Sequence, residues 1–311
     1  MLFRSMKFTN NYSYLDLHDQ VANVVTWPDE HIYIGSLSGD LVELSKNDQT
    51  YYQSRINSVH CLAVSDIAVS NDGKKIVSSS IDGTCILTDA NDFKALRNIN
   101  CQGSFSPHCA INGDGTIIAV IGEHGNLYID NGSDTLEGKG PDAFFRSIKF
   151  YGEDESDVVC LARHCLAQIN VETRQTISEI NGVTSNRDGK LKRSITCFAT
   201  HPFQKIIPVG TIGGYVQFYD ISSDSQFISE IKVGRLQLVE SMTFSRDGNT
   251  LAIGASDRSV KLMDIRNKQI ISEFKPQRSR VLSVAFNHES TQLVSVSEDK
   301  TVIIADVVPS L

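Results

Sequence analysis

Short stretches in which apolar and polar residues alternate run along almost the whole chain, and clusters of Gly, Asp, Asn and Ser break each stretch. A period of two is what a half-buried strand requires. Residues 238–274 give the pattern in full. Leu238 to Phe244 reads as a strand, with Asp247-Gly248 as the turn after it. Leu251 to Ala255 is a second strand, Asp257-Arg258 a second turn, Val260 to Asp264 a third strand and Ile270 to Phe274 a fourth. Asp72-Gly73 and Asp114-Gly115 recur at the place of Asp247-Gly248, where a tight hairpin needs a positive φ. Second strands carry small residues (Ser78, Ser79, Ser80, Gly254, Ala255, Ser295, Ser297), which suits inner strands with close neighbours. No helical periodicity longer than two turns interrupts, so the pattern predicts an all-β chain.

The four-strand unit repeats. A turn follows each small-residue strand: Ser36-Leu37-Ser38-Gly39, Ser80-Ile81-Asp82-Gly83, Gly122-Glu123-His124-Gly125, Thr211-Ile212-Gly213-Gly214, Ala255-Ser256-Asp257-Arg258 and Ser297-Glu298-Asp299-Lys300. The third residues of these markers are spaced 44, 42, 89, 44 and 42 apart. The long step is two periods, and a degenerate unit is expected at Ala162-Arg163-His164-Cys165. A strand ending in Asp keeps the same rhythm at Asp130, Asp220, Asp264 and Asp306. A period of about 40–45 residues with four short strands is the pattern of a β-propeller blade. Seven units fill residues 1–311 as a single domain, with blades from about 21, 64, 106, 144, 194, 238 and 281. The seventh unit supplies only three strands. Residues 1–17, through Phe3 to Phe8 or Tyr12 to Leu17, are expected to add the missing outer strand and close the ring.

Composition narrows the function. A net charge of −8 with a pI near 5.5 argues against direct nucleic-acid binding, which requires a basic stripe. No apolar run reaches a membrane span, and Met1 to Lys7 lacks the apolar core of a secretory signal, so an intracellular place, cytoplasmic or nuclear, is expected. The seven cysteines (Cys61, Cys85, Cys101, Cys109, Cys160, Cys165 and Cys197) include no Cys-x-x-Cys pair and read as small hydrophobes rather than disulfides or metal ligands. Asn11-Tyr12-Ser13 and Asn131-Gly132-Ser133 match the glycosylation pattern but carry no weight without a secretory route.

These features resemble the WD-repeat family over essentially the whole chain. The departures are clear: Ile129, Tyr219, Met263 and Ala305 stand where the family has Trp before Asp, and the only tryptophan, Trp27, closes a first strand. The resemblance implies a buried network of a loop histidine, a second-strand Ser or Thr and the turn Asp. Only the second unit keeps that spacing, with His60, Ser80 and Asp82; the other blades are expected to rely on apolar packing between sheets. His18-Asp19-Gln20-Val21, Thr26-Trp27, Gly35-Ser36-Leu37 and Ser78-Ser79-Ser80-Ile81-Asp82 are similar to the small WD-repeat subunits of superkiller RNA-decay complexes. That resemblance implies a place in an RNA-decay or transcription-elongation assembly.

No catalytic motif is present: the chain has no Gly-x-x-x-x-Gly-Lys-Ser/Thr, no Gly-x-Ser-x-Gly and no His-Glu-x-x-His. An enzyme with a channel-mouth site would need carboxylates converging from several blades, and the innermost strands open with Val21, Ser194, Val239 and Val281. The rim bearing the turn markers is more informative. Phe105, Phe144, Phe145, Arg146, Arg193, Leu236, Leu238, Arg278 and Arg280 lie in loops entering first strands, and the turns add Leu37, Ile81 and Ile212. Aromatic, aliphatic and arginine side chains gathered there read as a binding hot spot; the competing reading tucks several of them into the core. The 187–193 loop, with Arg187, Lys190, Lys192 and Arg193 against Asp188, suits an acidic or phosphorylated segment, or is a solvated insert. Asp264-Ile265-Arg266 matches part of a pattern found in WD-repeat receptors of cullin ubiquitin ligases, although Met263 replaces its Trp. The expectation is a noncatalytic scaffold, monomeric as a propeller, that docks peptide segments or subunits of a larger complex. It needs no cofactor or metal. The alternatives are a cullin-ligase substrate receptor and a propeller enzyme.

Overall fold

The computed structural model describes residues 6–17, 22–28, 30–48, 50–101, 107–122, 125–133, 135–139, 145–152, 154–162, 165–181, 195–222, 226–234, 237–275 and 277–309. Its 28 strands form seven four-stranded antiparallel sheets, and no α-helix occurs among the described residues. The sheets are the blades of a seven-bladed propeller. Blade 1 spans residues 22–58, blade 2 64–100, blade 3 108–139, blade 4 145–181, blade 5 195–232 and blade 6 239–274, each from four consecutive strands. Blade 7 takes its inner three strands from Val281–Phe286, Gln292–Ser297 and Thr301–Pro309, and its outer strand from Met6–Asp16.

Alternation along the strands explains the ring. Seven apolar clusters are present, and each is shared by two neighbouring blades. In the Thr250–Ala255 strand, Leu251 and Ile253 face blade 5 while Ala252 faces blade 7. Middle strands are therefore buried on both faces, and every residue of Thr250–Ala255 is buried. The sheets approach closely enough to exclude a side chain at some points. A Cβ on Gly35, Gly210 or Gly254 would lie 2.5, 2.7 or 2.9 Å from the valine that opens the next blade, Val64, Val239 or Val281. This is the physical content of the small residues in second strands.

The two ends of the described chain meet in blade 7. Met6 to Phe8 pairs with Pro309 to Val307, and Tyr12 to Asp16 pairs with Ala305 to Thr301, with a bulge between the two stretches. Both candidate closing segments thus contribute to one strand. Phe8 and Tyr12 each set their rings 5.4 Å from Phe274 of blade 6. Leu15 and Leu17 pack into the cluster between blades 7 and 1. Trp27, buried in that cluster, meets Tyr51 edge-on at 5.8 Å, and the Tyr51 hydroxyl donates to Gln292 Oε1 of blade 7 at 2.8 Å. Pairing, aromatic contact and a cross-blade hydrogen bond hold the junction.

Candidate protein-docking rim

The marker turns owe their recurrence to one backbone requirement. The fourth marker residue is left-handed in every described copy, with φ of 95° at Gly39, 84° at Gly83, 75° at Gly125, 76° at Gly214, 71° at Arg258 and 70° at Lys300. Only glycine takes this conformation without steric penalty, so Arg258 and Lys300 carry local strain. At Gly39 the demand is steric as well, since a Cβ there would lie 2.3 Å from the His60 carbonyl oxygen. The third marker residue secures the turn. Asp82 accepts from the Cys61 and Thr84 N–H groups, each at 2.9 Å, and Asp299 accepts from the Arg278 N–H at 2.6 Å and the Ser279 N–H at 3.2 Å. Burial by itself would raise the Asp82 pKa, but the Thr84 and Cys61 donors and nearby His60 hold it below the usual carboxylate range.

Behind this turn lies a buried histidine network whose membership differs from the expected one. His60 Nε2 lies 2.8 Å from Ser78 Oγ, Nδ1 lies 2.9 Å from Thr84 Oγ1, and Asp82 Oδ2 is 3.7 Å from Nδ1. Ser80 is not part of it: its hydroxyl donates to the Leu62 carbonyl at 2.9 Å. Residues 78 and 80 share one face of the strand, and the depth of the imidazole selects Ser78. Burial pushes the His60 pKa below its ordinary value, against the pull of Asp82, so the ring is neutral near neutrality. His60→Ala should cost about 1–3 kcal/mol by leaving Ser78 and Thr84 unpaired, measured by denaturant unfolding. The sign with pH follows. The unfolded chain takes up the proton more readily, so stability present above about pH 6.5 is lost as pH falls. His60→Gln should flatten that acid slope in a pH series of melting temperatures.

Other blades replace the histidine network with different polar chemistry, which corrects the expectation of apolar packing alone. In blade 1, Asp40 accepts from the Ser38 hydroxyl at 2.7 Å and from the Ser58 hydroxyl at 2.5 Å. Blade 6 buries Lys261, whose amine lies 3.2 Å from Asp257 and 2.6 Å from Ser259 Oγ. Blade 7 uses Gln277, which donates to the Ser295 carbonyl at 3.1 Å. Gln277 keeps the 22-residue spacing to Asp299 that His60 keeps to Asp82, whereas no such spacing marks the substitutions in blades 1 and 6.

Leu37, Ile81 and Ile212 stand out from their turns at 47%, 39% and 47% exposure, and Leu62, on the loop entering blade 2, joins them at 49%. Leu238 is half-buried and bridges Ile212. Arg278 and Arg280 are exposed; Arg280 lies 3.2 Å from Glu298 and 3.8 Å from Glu240. Phe145 is a correction. It is only 7% exposed, in the cluster between blades 3 and 4, because it opens the innermost strand with its ring turned to the neighbouring sheet. Phe145→Ala should therefore cost about 3–5 kcal/mol of stability, and a variant that melts like the parent would return this ring to the surface. Phe105, Phe144, Arg193, Leu236 and the 187–193 loop lie outside the described residues.

Arg146 belongs to the central channel, a space of about 380 Å³ lined by the innermost strands. Asp66, His108, Lys149 and Glu240 share its wall. These charges were not legible from the opening residues of the strands; they lie within the innermost strands that line the channel. Burial would raise the Asp66 pKa, but Lys149 and His108, with His108 Nδ1 at 3.4 Å, hold it low. Burial raises the Glu240 pKa against the pull of Arg280. No group of three or more His, Cys, Asp or Glu side chains arranged to hold a metal ion is found among the described residues. Arg266, of the cullin-receptor pattern, folds back onto its own Asp264 at 3.0 Å, and Met263 is buried.

Comparison with known proteins agrees with this architecture. Residues 143–307, just over half of the chain, match the family described as Nucleolar protein 10-like, N-terminal domain, and residues 53–89 match the WD domain, G-beta repeat. The chain is similar to nuclear pore complex protein nup43 of Dictyostelium discoideum, 35% identical over 97 residues, covering 30% of this chain and 23% of that protein. Superkiller complex protein 8 of the same organism is 32% identical over 85 residues, covering 27% and 28%. Pre-mRNA-processing factor 19 homolog 2 of Arabidopsis thaliana is 26% identical over 156 residues, covering 49% and 28%. The chain thus spans less than a third of the length of each of these relatives. With seven four-stranded blades and the marker turns between them, the chain belongs to the nucleolar protein 10-like N-terminal propeller family and carries the WD repeat.

Proposed function

We propose that this propeller is a noncatalytic scaffold subunit that docks peptide segments or neighbouring subunits on the rim bearing the marker turns. The observation that carries the reading is the set of exposed aliphatic side chains, Leu37, Leu62, Ile81 and Ile212, on that rim. The turns beneath Leu37 and Ile81 are rigid: Ser36, Ser38 and Asp40 interlock in blade 1, and Asp82, Thr84 and His60 in blade 2. Apolar groups held on a stiff frame lose little entropy on binding, which favours a few anchors carrying most of the energy. The half-exposed Arg280 beside Ser279 and Glu298 supplies a polar border.

The relatives whose names place them in a nuclear pore complex, a superkiller complex and pre-mRNA processing support a multiprotein, RNA-handling assembly as the host, in nucleus or cytoplasm. A photo-cross-linking residue placed at 81 or 212 in the source cells tests the reading. It should capture a defined partner that the same residue at 172 or 289, on the opposite rim, does not. Equal capture from both rims would remove the proposal.

A further inference from the structure

The opposite rim, where first strands turn into second strands and third into fourth, carries a groove over the ring's seam. Blade 7 with its closing strand lies on one side and blade 1 on the other, and the groove holds about 1090 Å³. That is the upper end of the range for ligand sites and leaves room for an extended segment. Blade 7 supplies the hairpin at His288 and Glu289 and the strand end at Asp306 to Val308. Blade 1 supplies the turn at Pro28 and Glu30 and the hairpin at Lys46 and Asp48. Trp27 and Tyr51 line the groove but are already buried, so they give it shape and offer a ligand little new contact. The apolar surface still open is that of Pro28 and of Val308, which is 36% exposed.

The charges of the groove do not cancel. Glu30, Asp48, Glu289 and Asp306 line it, and none of the four has an ion-pair partner among the described residues. Asp306 accepts from the amides of Asn11 at 2.5 Å and Gln292 at 2.7 Å, neutral donors that leave its charge in place. Lys46 is the one lysine or arginine among the described lining residues. His31 lies 3.0 Å from Glu43, which Arg55 meets at 3.4 Å, so that group is balanced within itself. At the edge, Arg246 donates to His288 and precedes Asp247, and Lys7 is exposed on the closing strand opposite Val308. With these edge groups included, five carboxylates stand against three cations.

Two further observations agree with a site for positive charge. Burial raises the Tyr51 pKa, and the charge on Asp306 raises it further, as a negative field does to a phenol. The chain's own Lys46 sets its amine 5.5 Å from the centre of the Tyr51 ring, so the wall already holds one ammonium group.

We propose that this groove docks a basic peptide segment, with Lys or Arg side chains meeting Glu30, Asp48 and Asp306. Their aliphatic stems lie against Pro28 and Val308. A segment bound there touches both blade 7 and blade 1, across the junction that closes the ring. The site is separate from the marker rim, and its ligand is a different molecule from the partner docked there, so the two readings fail independently.

A random peptide library panned on the full chain tests this. The expected winners are rich in Lys or Arg and lack Asp and Glu, and their affinity falls as salt rises. A protein of net charge −8 attracts any basic peptide, so the position of the effect decides. Glu30→Lys with Asp48→Lys, both exposed and unpaired among the described residues, should weaken the winners about tenfold or more at an unchanged melting temperature. Glu172→Lys with Glu179→Lys, which makes the same change of net charge at exposed sites on blade 4, should leave them almost unaffected. A saturating winner should raise the melting temperature of the parent and not that of the Glu30/Asp48 pair. No enrichment of basic peptides, winners indifferent to the Glu30/Asp48 pair, or an equal loss from the Glu172/Glu179 pair would overturn the proposal.

Discussion

A chain lacking residues 1–17 should aggregate or melt far below the full-length protein. The deletion strips the partner from Thr301–Pro309, whose eight paired residues run from Thr301 to Ala305 and from Val307 to Pro309. What remains is an edge of unpaired N–H and C=O groups beside apolar Ile303 and Val307, an arrangement that recruits a second copy. Packing is lost as well. Met6 and Phe8 leave the cluster between blades 6 and 7, and Leu15 and Leu17 leave the one between blades 7 and 1. At about 1–2 kcal/mol for each of these four side chains, the loss is about 5 kcal/mol before any backbone term. Melting temperature and light scattering read the result. A monomeric truncation that melts like the parent would mean that Gln292–Ser297, Thr301–Pro309 and the Tyr51–Gln292 bond close the ring unaided.

The architecture was legible because a propeller repeats one solution. Each blade needs the same hairpins, so Asp-Gly turns and marker turns recur, and two buried faces force small or apolar middle strands such as Thr250–Ala255. The left-handed position after Asp82 and Asp257 is a demand of the backbone, and glycine or a strained substitute answers it. Side-chain partnership was less legible. Ser78 and Ser80 lie on one face of one strand, and spacing alone does not say which of them meets His60. A one-residue question of facing separated Phe145, in the core, from Arg146, in the channel. Gln277 and Lys261 fill the place of a histidine with other chemistry, so a search for histidines passes over them. The channel charges Asp66, His108 and Glu240 lie on three separate innermost strands, and their convergence becomes visible only when the seven blades face one axis.

Replacing Leu37 and Ile81 together with Asp should abolish complex formation while leaving the propeller intact. Both side chains project from the first and second marker turns, and neither belongs to an inter-blade cluster, so folding loses almost nothing. Binding loses two apolar anchors and gains two carboxylates that must be desolvated against the partner. About 2 kcal/mol for each anchor, taken as additive, weakens the partner on the order of a thousandfold. The matched control is Glu172→Lys with Glu289→Lys, two exposed positions on the opposite rim. The decisive measurement is the affinity of the purified native partner for the parent, the Leu37/Ile81 pair and the Glu172/Glu289 pair, side by side, with melting temperatures recorded. Docking on the marker rim predicts a loss confined to the Leu37/Ile81 pair at unchanged stability. A loss confined to the Glu172/Glu289 pair would contradict it.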